Sequence, residues 1–171
     1  MEHLNGNLFF YTLDTTNKTI LAVVTSTQLI KCEIPYLIEG IINVQGFYLV
    51  YGQTYISLFQ ITNDNNLAAI SLNFTQQLTD IGIRSMVYYT EKNIFLSGHE
   101  NGDLIAWSPG NNSLNQLGTI KISTSSILKL KLFTNFLLTA SKDGIFQVFN
   151  IDLDFKSIFT SPSLGNVSIH N

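Results

Sequence analysis

The chain has 171 residues, of which 45% are hydrophobic and 12% are charged, and its formal net charge is −3. This composition can bury a substantial core and disfavours an intrinsically disordered chain. Nine Lys and Arg residues without a basic stripe argue against nucleic acid or an anionic membrane as partners.

The cysteine count and the N-terminus both bear on the compartment. Cys32 is the one cysteine, so no disulfide can form within the chain, which suits a reducing environment. The first residues, Met1 to Gly6, lack the basic and apolar segments of a secretory signal peptide. We therefore expect an intracellular protein, cytoplasmic or nuclear.

Short runs of β-branched, aromatic and leucine residues recur along the chain, separated by clusters of Asn, Gly, Asp, Ser and Thr. This pattern predicts β-strands rather than helices. The gaps are too short for the crossover helices of a parallel sheet, so antiparallel sheets are expected. In chain order the predicted strands cover 7–13, 19–25, 37–43, 47–52, 54–61, 67–73, 82–88, 93–97, 103–108, 116–122, 126–132, 136–140, 144–150 and 155–160.

A repeated frame links several of these strands. In it, a turn dipeptide such as Asn-Gly or Asp-Gly, which suits a two-residue hairpin loop, precedes a short run that ends in an aromatic residue. One further copy fits without its turn glycine. The four copies are His3-x-Asn5-Gly6-x-Leu8-x-x-Tyr11, Tyr51-x-Gln53-Thr54-x-Ile56-x-x-Phe59, His99-x-Asn101-Gly102-x-Leu104-x-x-Trp107 and Ser141-x-Asp143-Gly144-x-Phe146-x-x-Phe149.

The aromatic positions of this frame are Tyr11, Phe59, Trp107 and Phe149, spaced by 48, 48 and 42 residues. A period of about 40 to 50 residues with four strands per unit is typical of β-propeller blades. One blade cannot bury both faces of its sheet, so blades stack on one another. The aromatic residue on the third strand is then expected to fill the gap between adjacent blades.

Two segments resemble the WD40-repeat family. Residues 95–107 are similar to the segment that ends in Trp-Asp, and residues 138–150 are closer still, with Phe-Asn in its place. In that family a Ser, a turn Asp and a Trp join a structural hydrogen-bond network with a His; Ser141, Asp143 and Trp107 match three of these positions, in two different repeats. The resemblance implies an all-β, WD40-like partial β-propeller of about three and a half four-stranded antiparallel blades.

A single domain over 1–171 is expected. A half blade at 1–25 would precede blades at about 37–73, 81–122 and 126–160, with a tail at 161–171. Three and a half blades do not obviously close a ring, so three possibilities stay open. The chain is a fragment of a longer propeller protein, or a partner chain or second copy completes the ring, or the sheets fold alone.

No catalytic, metal or cofactor site is predicted. Cys32, His3, His99 and His170 are scattered, whereas a zinc site needs clustered ligands. Ser97 and His99 could share a face near a strand end, as a nucleophile and its base would. No Gly-x-Ser-x-Gly elbow surrounds Ser97, so a structural repeat role is favoured for both residues.

The resemblance implies a protein–protein interaction scaffold, a subunit or fragment of a larger intracellular complex, and not an enzyme. Its partners would be other proteins, bound through the second-to-third-strand turns and the connection 26–36. The alternative is a propeller-based hydrolase or lyase with an axial site, although the repeat columns supply no converging carboxylates or histidines. The expected contact residues are His99, Glu100, Asn101, Lys142 and Asp143.

Overall fold

The computed structural model describes residues 2–165 except 5, 14–18, 27, 65–66 and 154. These residues form sixteen strands in four antiparallel sheets, and each sheet is a meander of four consecutive strands. They contain no α-helix, and one 3₁₀ turn lies at Ile151–Leu153. None of the helical segments described has the length and apolar character needed to cross a membrane.

The strand bounds follow the chain order. The first sheet contains β1 (Glu2–Leu4), β2 (Asn7–Leu13), β3 (Thr19–Val24) and β4 (Leu29–Ile34). The second sheet contains β5 (Gly40–Val44), β6 (Phe47–Gly52), β7 (Tyr55–Asp64) and β8 (Leu67–Gln77). The third sheet contains β9 (Ile83–Tyr89), β10 (Ile94–His99), β11 (Asp103–Gly110) and β12 (Ser113–Lys121), and the fourth contains β13 (Ile127–Phe133), β14 (Phe136–Ser141), β15 (Phe146–Asn150) and β16 (Lys156–Thr160).

The four sheets divide into two compact units. The first unit, Met1–Asp80, holds the first and second sheets, and the second unit, Ile81–Asn171, holds the third and fourth. The observed sheets and the predicted blades at 37–73, 81–122 and 126–160 cover nearly the same residues. The single domain over 1–171 stays a prediction.

In the first unit, alternation along the strands builds an aromatic core. Leu21 and Val23 of β3 are buried on the same side as Phe9 of β2, because their cross-strand register places them together. The Phe9 ring lies 4.8 Å from that of Tyr48 and 6.4 Å from that of Phe59, measured between centroids. The first and second sheets therefore pack face to face.

In the second unit the third and fourth sheets share an aliphatic core. Leu96 and Leu104 of the third sheet pack in one buried cluster with Leu130, Leu137 and Phe149 of the fourth. The lysines on either side of the buried leucine of β13 point to the exposed face. Removing this many apolar side chains from water is the main stabilising contribution expected for such a pair of sheets.

Three aromatic residues of the repeat occupy one structural position. In the second, third and fourth sheets the register between the third and fourth strands shifts by a β-bulge immediately before Phe59, Trp107 and Phe149. All three side chains are buried. A bulge increases the local twist and redirects the side chain beside it, so the buried aromatic residue and the bulge form one recurrent feature. We call the three residues Phe59, Trp107 and Phe149 the aromatic column.

The first sheet departs from the predicted pattern. Tyr11 lies on β2, a second strand, and no bulge interrupts the pairing of β3 with β4. The turn at position 6 joins the first and second strands of its sheet, whereas the other three copies of the frame place this turn between the second and third strands. The first copy of the frame is therefore offset by one strand from the others. Asn5 itself lies outside the described residues.

Two strands of the first sheet were not predicted, and its four strands therefore replace the expected half blade at 1–25. The segment β1 has three residues, too few for a periodic pattern. The segment β4, read as part of a connection, alternates apolar residues with Lys31 and Glu33. The part of the expected tail beyond residue 165 lies outside the described residues.

Candidate functional site

A buried polar chain crosses the third sheet. The indole Nε1 of Trp107 donates to Ser97 Oγ at 2.7 Å, Ser97 Oγ lies 2.7 Å from His99 Nε2, and His99 Nδ1 lies 3.2 Å from the Ile81 carbonyl oxygen. The Ile81 carbonyl oxygen can only accept, so Nδ1 carries the proton of the neutral imidazole and Nε2 accepts from the Ser97 hydroxyl, which itself accepts from the indole N–H of Trp107. The proton of the imidazole then sits on Nδ1 and is donated to Ile81.

Burial determines the protonation state of the His99 imidazole in this chain of hydrogen bonds. Ser97 and His99 are both fully buried. Burial lowers the pKa of His99 below its usual 6.5, and the hydrogen bond to Ile81 and the charge of Asp103 only partly oppose this. The imidazole is therefore neutral in the folded chain, as the hydrogen-bond directions require.

The same burial decides between the roles considered for these residues. Ser97 and His99 adjoin each other as a nucleophile and base would, but neither side chain reaches solvent or a substrate. His99 was also expected as a partner-contact residue; that role stays a prediction, and its side chain is fully buried against Ser97 and the Ile81 carbonyl. The turn geometry that suggested exposure applies to its backbone, while the side chain points inward.

The exposed part of this turn is a small charged cluster. Asn101 makes two hydrogen bonds to Asp103. Its Nδ2 donates to Asp103 Oδ2 at 2.6 Å, and its Oδ1 accepts the backbone N–H of Asp103 at 3.0 Å. Lys121 Nζ lies 3.2 Å from Asp103 Oδ1. Glu100 pairs with Arg84 at 2.5 Å, with both side chains partly in solvent. Glu100 is therefore exposed and Asn101 half-buried on a turn whose conformation these hydrogen bonds hold.

The equivalent turn of the fourth sheet is held differently. Ser141 Oγ donates to Asp143 Oδ1, so the structure does bring together these two residues of the resemblance. Phe149 stands at the frame position of Trp107 and has no N–H to donate, and Ser141 stands at the frame position of His99. Lys142, at the tip of the turn, is exposed, and its backbone N–H donates to the Ser126 carbonyl at 2.8 Å.

An apolar cavity of about 320 Å³ lies beside these elements in the second unit. Its floor is the cross-strand pair Ala106 and Gly118, whose small side chains leave the space open. No Asp, Glu, His, Lys, Arg or Cys lines it. Among the described residues, no three His, Cys, Asp or Glu side chains come close enough together to hold a metal ion.

Cys32 sits on β4, half-buried, and its thiol is free. Burial raises the pKa of this thiol, and the neighbouring Glu33 carboxylate raises it further. The group is therefore held as a neutral thiol, which is a poor nucleophile and a poor metal ligand.

Similarity to solved structures fixes the fold. Sqt1 from Chaetomium thermophilum matches 85% of this chain and 39% of its own with a TM-score of 0.63 at 15% identity. Sqt1 bound to the N-terminus of the ribosomal protein L10 matches with a TM-score of 0.64 at 14% identity, over 85% of this chain and 42% of that one. No family model and no curated protein sequence matches.

The predicted all-β, WD40-like partial propeller is thereby confirmed as the fold. This chain spans 39% to 42% of the length of the Sqt1 chains that it matches. At such low sequence identity the likeness bears on architecture alone, because one fold carries many functions.

Proposed function

We propose that this chain is a WD40-family protein-interaction scaffold that binds a segment of another protein at the second-to-third-strand turns of its second unit. The observation that carries this proposal is the construction of these turns. Charged side chains at their tips reach solvent, while the residues beneath them are locked by buried hydrogen bonds. Surface groups on a preorganised support lose little conformational freedom when they bind.

The chemistry of the turns suits a polar protein segment. The third-sheet turn exposes Glu100, with half-buried Asn101 beside it, and the fourth-sheet turn exposes Lys142. Both signs of charge are present within one unit, so a partner with alternating charges or with backbone donors and acceptors can be oriented by them. Asp143 is partly buried and bonded to Ser141, which gives it a supporting role rather than a direct contact.

The comparison with Sqt1 supports a protein ligand for this architecture. That protein has been solved with the N-terminus of a ribosomal protein bound. We carry over only the class of ligand, a protein segment. Membership of a larger complex in the cytoplasm or nucleus is part of the same proposal, and it agrees with the single neutral thiol of Cys32.

The hydrolase or lyase alternative gains no support from the second unit. The nucleophile–base pair considered above, Ser97 and His99, is buried, and no titratable side chain lines the apolar cavity described above. An enzyme of either class needs a group that can exchange a proton with a bound substrate. The interaction scaffold remains the function that the geometry supports.

Affinity capture with purified protein tests the scaffold proposal. Tagged wild-type chain, Glu100→Lys, Lys142→Glu and Lys92→Glu are incubated with lysate of the source cells, and bound proteins are quantified by mass spectrometry. Lys92 is the matched control, since it lies in the turn between β9 and β10, at the opposite end of the third sheet. Each variant is first shown to unfold at the same urea concentration as wild type.

We expect one or more stoichiometric partners with wild type and Lys92→Glu, and their loss with Lys142→Glu or Glu100→Lys. Retention of the same partners by both turn variants would contradict the assigned surface. Absence of any stoichiometric partner, together with hydrolytic or lyase turnover by the purified chain, would reverse the choice between scaffold and enzyme.

A further inference from the structure

The apolar cavity of the second unit lies along the outer edge of the third sheet. Its deep wall is formed by Leu96 and Leu104, which are 0% and 2% exposed. Its outer wall is β12, the outermost strand in the sheet order, and Phe155, which precedes β16, lines it from the fourth sheet. The cavity is therefore the outward continuation of the apolar core that the two sheets share.

Two small residues keep this space open. Ala106 and Gly118 lie opposite each other on β11 and β12, and both line the cavity. A Cβ atom at Gly118 would meet no other part of the chain within 4 Å, and the φ of Gly118 is not positive. The backbone therefore does not require glycine at this position, and an apolar side chain can enter the space without displacing a neighbour.

The hairpins that end the second and fourth sheets differ in length. Counted from the buried aromatic residue after the bulge, Phe155 holds the position in the fourth sheet that Ile70 holds in the second. Beyond this position the paired strands of the second sheet continue as far as Asp64 and Leu67. In the fourth sheet the chain reverses through the 3₁₀ turn Ile151–Leu153 instead. The fourth sheet therefore lacks the extended end that this hairpin has in the second.

In the first unit the longer hairpin reaches the outer edge of the first sheet. The backbone N–H of Ala68 donates to Gln28 Oε1 at 3.0 Å, and Gln28 immediately precedes β4, the outermost strand of that sheet. Cys32 of β4 and Ile70 of β8 pack against one core. An extended segment with an inward apolar side chain and a backbone hydrogen bond at the edge thus joins the outer strands there.

We infer that the cavity and the outer edge of β12 bind an extended segment of another polypeptide, which takes the role that the longer hairpin has in the first unit. The segment adds as a strand beside β12 and inserts a neutral apolar side chain between Gly118 and Phe155. The edge of an outermost strand presents backbone N–H and C=O groups with which an added strand can pair. None of the residues that line the cavity is charged, so a charged side chain would lose its hydration there without gaining a partner.

This surface is separate from the turns assigned to the scaffold role. Glu100, Asn101 and Lys142 do not line the cavity. The inference therefore goes beyond the proposed function, and it adds a second binding surface with a different chemistry. The turns present charged groups, whereas the cavity and the strand edge present apolar side chains and backbone groups.

Selection from a displayed library of random linear peptides on the purified 171-residue chain tests the inference. The dissociation constant of each selected peptide is then measured by fluorescence anisotropy with wild type and variants. Gly118→Ile fills the cavity and Leu117→Glu places a charge at its rim, so each should raise the dissociation constant by about tenfold or more. Urea unfolding first establishes that every variant is folded.

Ile158→Glu is the matched control for Leu117→Glu. Leu117 and Ile158 are the extra residues of the bulges on β12 and β16, and they are 58% and 52% exposed. Ile158 does not line the cavity, so Ile158→Glu should leave peptide binding unchanged. Because the Leu117 side chain is largely in solvent, Leu117→Glu still tests the surface if Gly118→Ile does not fold.

Pairing with the strand edge has a signature of its own. Hydrogen exchange at the backbone amides of residues 117–120 should slow when a selected peptide binds, because an added strand protects edge amides from solvent. Methylation of alternate backbone nitrogens of the peptide, on the side that faces β12, should weaken binding because it removes donors. Nile red, a neutral apolar dye without a backbone, distinguishes simple filling of the cavity from strand addition.

Four results would overturn the inference. They are the absence of any selected peptide that binds wild type, peptide binding that Leu117→Glu does not weaken, unchanged exchange at 117–120 in the bound state, and binding of Nile red alone, which would assign a small apolar molecule to the cavity. Lys142→Glu and Glu100→Lys should leave peptide binding intact. Failure of this test would therefore leave the scaffold test standing, and the reverse also holds.

Discussion

In the third sheet the residue after the bulge is Trp107, and in the fourth sheet it is Phe149. Both rings are buried at the same position of the same frame. The tryptophan extends the frame into a polar chain through Ser97 and His99, whereas the phenylalanine does not. In the fourth sheet Ser141, at the frame position of His99, donates its hydroxyl hydrogen bond to Asp143.

This comparison separates two roles of the aromatic column. Apolar volume at the bulge is common to both sheets, and it serves sheet packing. The indole N–H is present at this position only in the third sheet, where it donates to Ser97, the hydrogen-bond partner of His99. Because buried polar groups are costly when unpaired, this donor stabilises the buried serine and histidine. The third sheet should therefore lose more than the fourth when its column residue is removed.

The largest effect is expected from Trp107→Ala. It removes a buried ring and leaves Ser97 without a donor, so it should cost about 3 to 5 kcal/mol of unfolding free energy. Phe149→Ala is the matched variant, since it opens a comparable cavity without orphaning a hydrogen bond. Urea unfolding of both variants measures the difference. A cost below about 1 kcal/mol for Trp107→Ala would mean that the column does not contribute to packing.

Gly102→Ala should have the next largest effect. Gly102 has φ +90°, and a methyl group there would collide with the backbone oxygens of Ser123 and Ser125. Left-handed backbone alone costs a non-glycine residue about 1 to 2 kcal/mol. Gly46→Ala is the control, because Gly46 has φ +91° with open space around it. Thermal unfolding should show the larger loss for Gly102→Ala, and equal losses would mean that this turn is not closely packed.

Trp107→Phe gives the third sheet the aromatic residue that the fourth sheet has at the same frame position. The ring volume is largely kept and the indole N–H is lost, so the expected cost is about 1 to 2 kcal/mol. Adding Ser97→Ala to this variant also removes the partner of His99 Nε2 and leaves that buried nitrogen unpaired, so the double variant should be less stable than Trp107→Phe alone. If Trp107→Phe unfolds at the same urea concentration as wild type, the indole hydrogen bond has no measurable role.

The smallest effect concerns pH. The pKa of His99 is lowered by burial, so its contribution to stability is fully present above the unfolded value of 6.5. As the pH falls below 6.5, His99 of the unfolded chain binds a proton that buried His99 of the folded chain does not bind. The free energy of unfolding then drops by at most about 1.4 kcal/mol per pH unit until the folded pKa is reached.

His99→Gln should remove this pH dependence, because glutamine does not titrate. Urea unfolding from about pH 7.5 to about pH 5.5 compares the two chains over the range in which histidine changes charge. The two chains differ at position 99 alone, so the difference between their pH profiles isolates His99. Parallel pH profiles would show that His99 is not held neutral in the folded state.

The periodic residues were the ones that sequence could place. Phe59, Trp107 and Phe149 are recognisable because each follows a turn and an alternating run, and those are local patterns. Tyr11 carries the same local pattern but lies on a second strand, because nothing in the pattern records how many strands come before it. The three-residue β1 is too short to leave any periodic signal of its own.

The local sequence pattern did not indicate which side chains of the turn would be buried. His99 and Glu100 are adjacent in a polar turn, yet His99 is enclosed and Glu100 is exposed. What distinguishes them is the Ile81 carbonyl, contributed by the segment that enters β9, and the Trp107 side chain across the sheet. A signal was nevertheless present, because Ser97, His99 and Trp107 share one side of adjacent strands.

By itself, the sequence determined the strand class, the antiparallel order, the repeat period and the aromatic positions of three sheets. These depend on side-chain alternation and turn chemistry, which act between residues close together in the chain. The tertiary structure alone decided the first sheet, the enclosure of His99 and the apolar cavity of the second unit. Those outcomes depend on which sheet packs against which, and that is fixed by contacts between residues far apart in the sequence.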